Sequence, residues 1–178
     1  WIGYLLASPL RRIFHSPERI VGPYVQEGMQ ALDIGCAMGF FSLPLARLVG
    51  TSGKVYSVDL QEKMIQSLEN RAHKAGLADR IQARVCKQDS LELGDLAGQI
   101  DFALAFAVFH EVPDRSKALA EIHIALKPSA RLLAAEPRKR VTDESFDELA
   151  SIAEQAGYSI LSRPSIRSTH AVVLERRA

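Results

Sequence analysis

The 178-residue chain predicts an α/β fold: a doubly wound, mostly parallel seven-stranded sheet with an antiparallel last strand. Three observations predict it. Short apolar runs of strand length alternate with stretches of helical periodicity from residue 30 to the end. The segment ALDIGCAMGFFSLPLA, residues 31–46, reads as a buried strand running through a small-residue turn into a helix. The last two apolar runs are joined only by residues 164–169, too short for a helical crossover, so they pair antiparallel.

The expected strands are 30–35, 54–59, 81–87, 100–106, 130–136, 157–163 and 170–176. Helical periodicity covers 39–49, 61–76, 114–127 and 143–156. Gly50, Gly53, Gly76, Gly94 and Gly98 punctuate the joins. Pro128 stops the helix that precedes it, and Thr142 with Ser145 marks the start of the next. Residues 1–24 mix aromatics, proline and arginine at roughly helical spacing. Two readings fit them: a helix packed on the sheet edge, or a lid that places Trp1, Tyr4 and Phe14 against substrate.

Composition sets bounds. The length suits one core, read as a single domain over residues 1–178. A hydrophobic content of 47%, a charged content of 24% and a net charge of +1 are those of an ordinary globular protein. They give no field that would draw nucleic acid or a membrane. Cys36 and Cys86 form no CxxC pair, which argues against a disulfide scaffold or cysteine-rich metal site and fits the reducing cytoplasm. The opening WIGYLLASPL lacks a basic leader and is not read as a signal peptide. No apolar run approaches the ~20 residues of a membrane helix.

Asp33, Asp59 and Asp89 end or follow successive strands, on the edge where open parallel sheets bind ligands. One such residue alone would be an ordinary cap or loop aspartate. Three in register with a glycine turn point to a ligand. A carboxylate beside the turn suits positive charge, and with a second on the next strand the pair suggests a nucleoside ligand with a cationic appendage. A dinucleotide fits poorly. The G-x-G-x-x-G positions read Gly35, Ala37 and Phe40, and Asp33 would repel a pyrophosphate. A nicotinamide-dependent oxidoreductase is therefore the weaker reading.

At these residues the chain resembles the class I S-adenosylmethionine-dependent methyltransferases. LDIGCAMGFFS (32–42), VYSVDL (55–60), KQDSLEL (87–93), IDFALAFAVFHEVPD (100–114) and IHIALKPSARLLAAEP (122–137) are similar to successive motifs of that superfamily. The combination looks most like its small-molecule branch, near the quinone and arsenite methyltransferases. The resemblance implies a Rossmann-like methyltransferase fold, S-adenosylmethionine as cofactor, and methyl transfer to a small molecule. It implies that the turn of Gly35, Cys36, Ala37 and Gly39 meets the methionine part, with Asp33 facing the cationic end. Asp59 would take the ribose hydroxyls, Leu60 and Met64 would pack on adenine, and Asp89 and Ser90 would read its edge. Ala105 and Phe106 would meet the cofactor amine. A cofactor-binding protein without catalysis is the rival reading.

Two positions depart from the family pattern: Ala37, and Ser129 with Ala130 where Pro-Gly-Gly is common. Alanine at 37 is tolerated if its φ is negative and costly if φ is positive. The site itself is expected from residues 1–24, 106–114 and 136–143. His110 is the candidate general base, titrating in the right range; its other reading is a turn cap. His110 and Glu111 lack a third ligand and are not read as a metal site. Arsenite chemistry needs several cysteines near substrate, and Cys36 and Cys86 look like small core residues. Arg138-Lys139-Arg140 is a solvated loop or an attractor for an anionic substrate.

Overall fold

The computed structural model of the chain describes residues 16–177, which fall into two units, one up to Cys86 and one from Lys87. The seven strands make a mixed sheet, parallel except at the last strand. Trp1, Tyr4 and Phe14, on which the lid reading rests, lie outside the described residues.

The first unit opens with a short helix α1 (Pro17–Val21) and a 3-10 turn (Gly22–Tyr24). It continues through β1 (Gln30–Ile34), α2 (Ser42–Leu48), β2 (Lys54–Asp59), α3 (Glu62–Lys74) and β3 (Ile81–Val85). β2 lies between β1 and β3, parallel to both. Such pairing demands a crossover between successive strands, and α2 and α3 provide it. β1 and β2 are buried almost throughout, including the polar Asp33, Ser57 and Asp59. β3 is half-exposed and lines the outer side of this unit. Leu68 and Ile65 of α3 pack on Cys36, Ile81 and Ala83. Cys36 is thus a buried thiol at the base of the turn, and burial pushes its pKa up. α2 starts three residues later than the periodicity suggests, because Gly39 has φ +82°, outside the helical region.

The second unit contains β4 (Ile100–Phe106), α4 (Arg115–Ala125), β5 (Leu126–Pro137), α5 (Asp143–Gln155), β6 (Tyr158–Ser162) and β7 (Thr169–Arg176). β4 and β5 are parallel; β7 lies antiparallel between β5 and β6. Phe102, Leu104, Leu119, Ile122, Leu126, Phe146 and Tyr158 form its fully buried interior. The Tyr158 hydroxyl stays satisfied there by donating to Leu119 O at 3.0 Å. Thr142 Oγ1 accepts from Ser145 N–H at 3.2 Å, the expected N-cap of α5.

One boundary differs from expectation. The preceding helix ends at Ala125, and β5 begins at Leu126, not at 130. Leu126 pairs with Ile100, the register then slips, and pairing resumes at Arg131 with Phe102. Pro128 therefore sits in an irregular stretch of strand, where its missing N–H does no harm, and it bars Lys127 from helical geometry. Ser129 takes φ +61° in that slip, which accounts for the glycine usual there.

Candidate functional site

In the first unit, β1 delivers Asp33 to the sheet edge and then turns sharply. Gly35, Ala37 and Gly39 all have positive φ, at +66°, +45° and +82°. Gly39 has a second constraint: a Cβ there would collide with Leu68. Ala37 thus occupies the strained case, a methyl-bearing residue in left-handed backbone.

The turn spends its backbone donors on its own chain. The N–H groups of Gly35 and Cys36 donate to Val58 O at 2.9 and 3.1 Å, and Gly39 N–H donates to Cys36 O at 2.9 Å. Ala37 N–H donates to Asp59 Oδ2 at 2.9 Å. These four N–H groups are thus engaged within the chain.

Two carboxylates, Asp33 and Asp59, flank the turn. Asp33 is almost wholly buried and accepts from Ser42 Oγ at 2.6 Å. Burial raises its pKa to about 7, against the Ser42 hydrogen bond and with a further push from Asp59. A carboxyl that costly to ionise gains most from a cation placed beside it. Asp59, at the end of β2, accepts Ala37 N–H on Oδ2 and Gln61 N–H on Oδ1, both at 2.9 Å. Each oxygen keeps a second lone pair for another donor. Leu60, the next residue, is 53% exposed although apolar, and Met64 is half-buried in the first turn of α3.

In the second unit, Asp89 and Ser90 lie in a turn closed by a bridge between Lys87 and Ser90. Glu121 of α4 ties this turn down, its Oε2 accepting Leu91 N–H at 2.7 Å and Ser90 Oγ at 3.3 Å. Asp89 is exposed. Ser90 N–H faces Lys87 O at 3.4 Å, a long contact that a better acceptor can displace. Ala105 and Phe106 are buried at the end of β4, in register with Ala134 and Ala135.

Beyond Phe106 the chain turns through Ala107, φ +63°, whose N–H donates to Ala135 O at 2.7 Å. His110 follows, its Nδ1 2.6 Å from Glu136 Oε2. The other oxygen of Glu136 accepts Val108 N–H at 3.0 Å and Phe109 N–H at 2.7 Å. Glu136 is 1% exposed. Glu136, Ser42 and Glu121 are the residues that motif reading passed over. Each is a polar residue in otherwise apolar or helical surroundings, and that contrast was the available signal. Arg138, Lys139 and Arg140 stay exposed, and Arg138 pairs with Asp143 at 3.4 Å, as a solvated loop would.

Comparison with known proteins agrees with this arrangement. The profile of a family described as "Methyltransferase domain" matches residues 25–163. The ubiquinone/menaquinone biosynthesis C-methyltransferase UbiE of Haemophilus ducreyi is 26% identical over 139 residues, 78% of this chain and 51% of that protein. The demethylmenaquinone methyltransferase of Geobacillus stearothermophilus is 30% identical over 104 residues, 58% of this chain and 43% of that protein. The chain spans about half or less of these curated relatives. A solved structure of a SAM-dependent methyltransferase from Aquifex aeolicus superposes with a TM-score of 0.87 at 27% identity, covering 97% of this chain and 96% of that one. With the motif turn, the strand-end acids and the sheet all in place, the chain belongs to the methyltransferase domain family.

Proposed function

We propose that residues 1–178 act as a single methyltransferase domain that binds S-adenosylmethionine and methylates a small molecule. The observation that carries this reading is Asp59. Its two oxygens are fixed by Ala37 N–H and Gln61 N–H yet retain one lone pair each, the set that two vicinal ribose hydroxyls require. Asp33 fits the same ligand, because its buried carboxyl rewards a nearby cation. Exposed Leu60 and half-buried Met64 offer apolar surface suited to adenine.

When bound, the cofactor supplies a methyl group on a positively charged sulfur. Asp33 would balance that charge, the turn from Gly35 through Cys36 and Ala37 to Gly39 would seat the methionine part, and Asp59 would fix the ribose. In the second unit, Asp89 and Ser90 would meet the adenine, with Ala105 and Phe106 at the amine. His110 would serve as the base where the acceptor carries a proton. The names of the quinone-methylating relatives support a small-molecule acceptor, and the net charge of +1 supports a reading without nucleic acid. The two-cysteine composition supports a reducing, cytoplasmic setting.

Titration calorimetry with S-adenosylmethionine and with its demethylated product tests the reading. Both should bind, and binding of neither would overturn it. Asp59→Ala should weaken binding by about 1.5–3 kcal/mol, the loss of a charge-assisted hydrogen-bond pair. Asp59→Asn, which keeps one acceptor, should fall between. Unchanged affinity in a folded Asp59→Ala would remove the ribose assignment.

A further inference from the structure

We propose that Glu136 is a positioning residue that sets the tautomer of His110, so that Nε2 can take a proton from a hydroxyl-bearing acceptor. This rests on the methyl-transfer reading and deepens it. The two Glu136 oxygens do different work. Oε1 accepts the consecutive N–H groups of Val108 and Phe109, at 3.0 and 2.7 Å, and so fixes the turn after β4. Oε2 lies 2.6 Å from His110 Nδ1. A carboxylate with no proton can only accept, so Nδ1 must carry the hydrogen. In the neutral imidazole Nε2 is then bare and basic. Among the described residues, the carboxylate facing Nε2 is Glu111 Oε1, at 3.6 Å and on a 72% exposed side chain, too far for a hydrogen bond. Arg115 approaches the same turn, but its Nε donates to Phe109 O at 3.2 Å, away from the ring. A base oriented by a buried carboxylate through its far nitrogen is the arrangement that activates a nucleophile.

The arrangement selects the acceptor. A thioether or tertiary amine already offers a free electron pair and needs no base. A phenolic or enolic hydroxyl must shed its proton as the new bond forms, and so needs one. His110 Nε2 takes the hydroxyl proton. The oxygen's electron pair forms the new bond to the methyl carbon, and the carbon–sulfur pair departs with sulfur, which becomes neutral. The imidazolium returns its proton to water.

Glu136→Gln isolates the effect. Two backbone N–H donors hold the amide oxygen where Oε1 was, so the turn keeps its anchor. The amide NH₂ then faces Nδ1, which must accept, and the proton moves to Nε2. Long-range ¹H–¹⁵N NMR of neutral His110 reads this without any substrate. The wild type and Glu136→Asp should show hydrogen on Nδ1, and Glu136→Gln should show it on Nε2. With labelled methyl donor and catechol as acceptor, Glu136→Gln should lower kcat by about 10²-fold or more with donor KM unchanged, and Glu136→Asp should recover much of it. A wild-type Nε2–H tautomer, an unmoved tautomer in Glu136→Gln, or equal kcat would overturn the assignment. Calorimetry keeps the two ideas apart. A wild type that binds no S-adenosylmethionine defeats the proposed function, whereas one that binds it and shows the wrong tautomer defeats only the role of Glu136.

Discussion

Ala37 shows what a single residue can and cannot announce. Its place in the turn is plain from the sequence, but the sign of its φ is not, since alanine populates left-handed backbone only when neighbours force it there. Here the forcing groups are the Val58 carbonyl, which takes the two preceding N–H groups, and Asp59, which takes its own. At φ +45° the methyl costs about 1–2 kcal/mol. Glycine would remove that strain but add roughly 0.5–1 kcal/mol of unfolded-state entropy. Ala37→Gly should therefore stabilise the protein by about 0.5–1 kcal/mol, read as a higher denaturant midpoint with an unchanged slope. A lower midpoint would mean the turn is not strained. Ser42 and Glu136 were illegible for another reason. A serine in a helix and a glutamate ending a strand have many uses, and only the folded backbone brings their partners within reach.

At the scale of elements, strands were the most legible part, because buried parallel strands read as unbroken apolar runs. Boundaries failed where one residue served two patterns. Leu126 continues the apolar face of α4 and equally opens β5, and the deciding contact is with Ile100, distant in sequence. The turn carrying Asp89 is held by a helix that sequence gave no reason to connect with it. Glu121 of α4 gathers Leu91 N–H and Ser90 Oγ. Glu121→Ala should leave the helix intact but free the turn. Leu91 amide exchange should accelerate by about tenfold, matching loss of one net hydrogen bond to a charged group of about 1.5 kcal/mol. An unchanged exchange rate would show that the turn holds itself.

For the whole molecule, the pH dependence of stability reflects Asp33. Its folded pKa, about 7, lies above the ordinary aspartate value of 3.8. The folded state therefore holds a proton that the unfolded chain releases. This contribution is fully present below pH ~4 and is lost as pH rises through ~7. The swing is of order 4 kcal/mol at about 1.4 kcal/mol per unit. Asp33→Asn, which mimics the protonated form, should flatten the profile and be the more stable protein at pH 8. A wild type whose stability does not fall relative to Asp33→Asn across that window would contradict the burial argument. Fold class, strand count and the acids at the strand ends were all legible in the chain, because burial and turn chemistry write themselves into local pattern. How Asp33 ionises was not, because desolvation depends on everything packed around it.

Under the proposed function, the Asp33–Ser42 pair would make ligand uptake a proton-releasing event. Near neutrality the carboxyl is about half protonated, so a cationic ligand settling beside it would expel roughly half a proton per molecule at pH 7. Heats of binding should then differ between phosphate and Tris buffers, which take up protons with different enthalpies. Asp33→Asn should bring the two heats together.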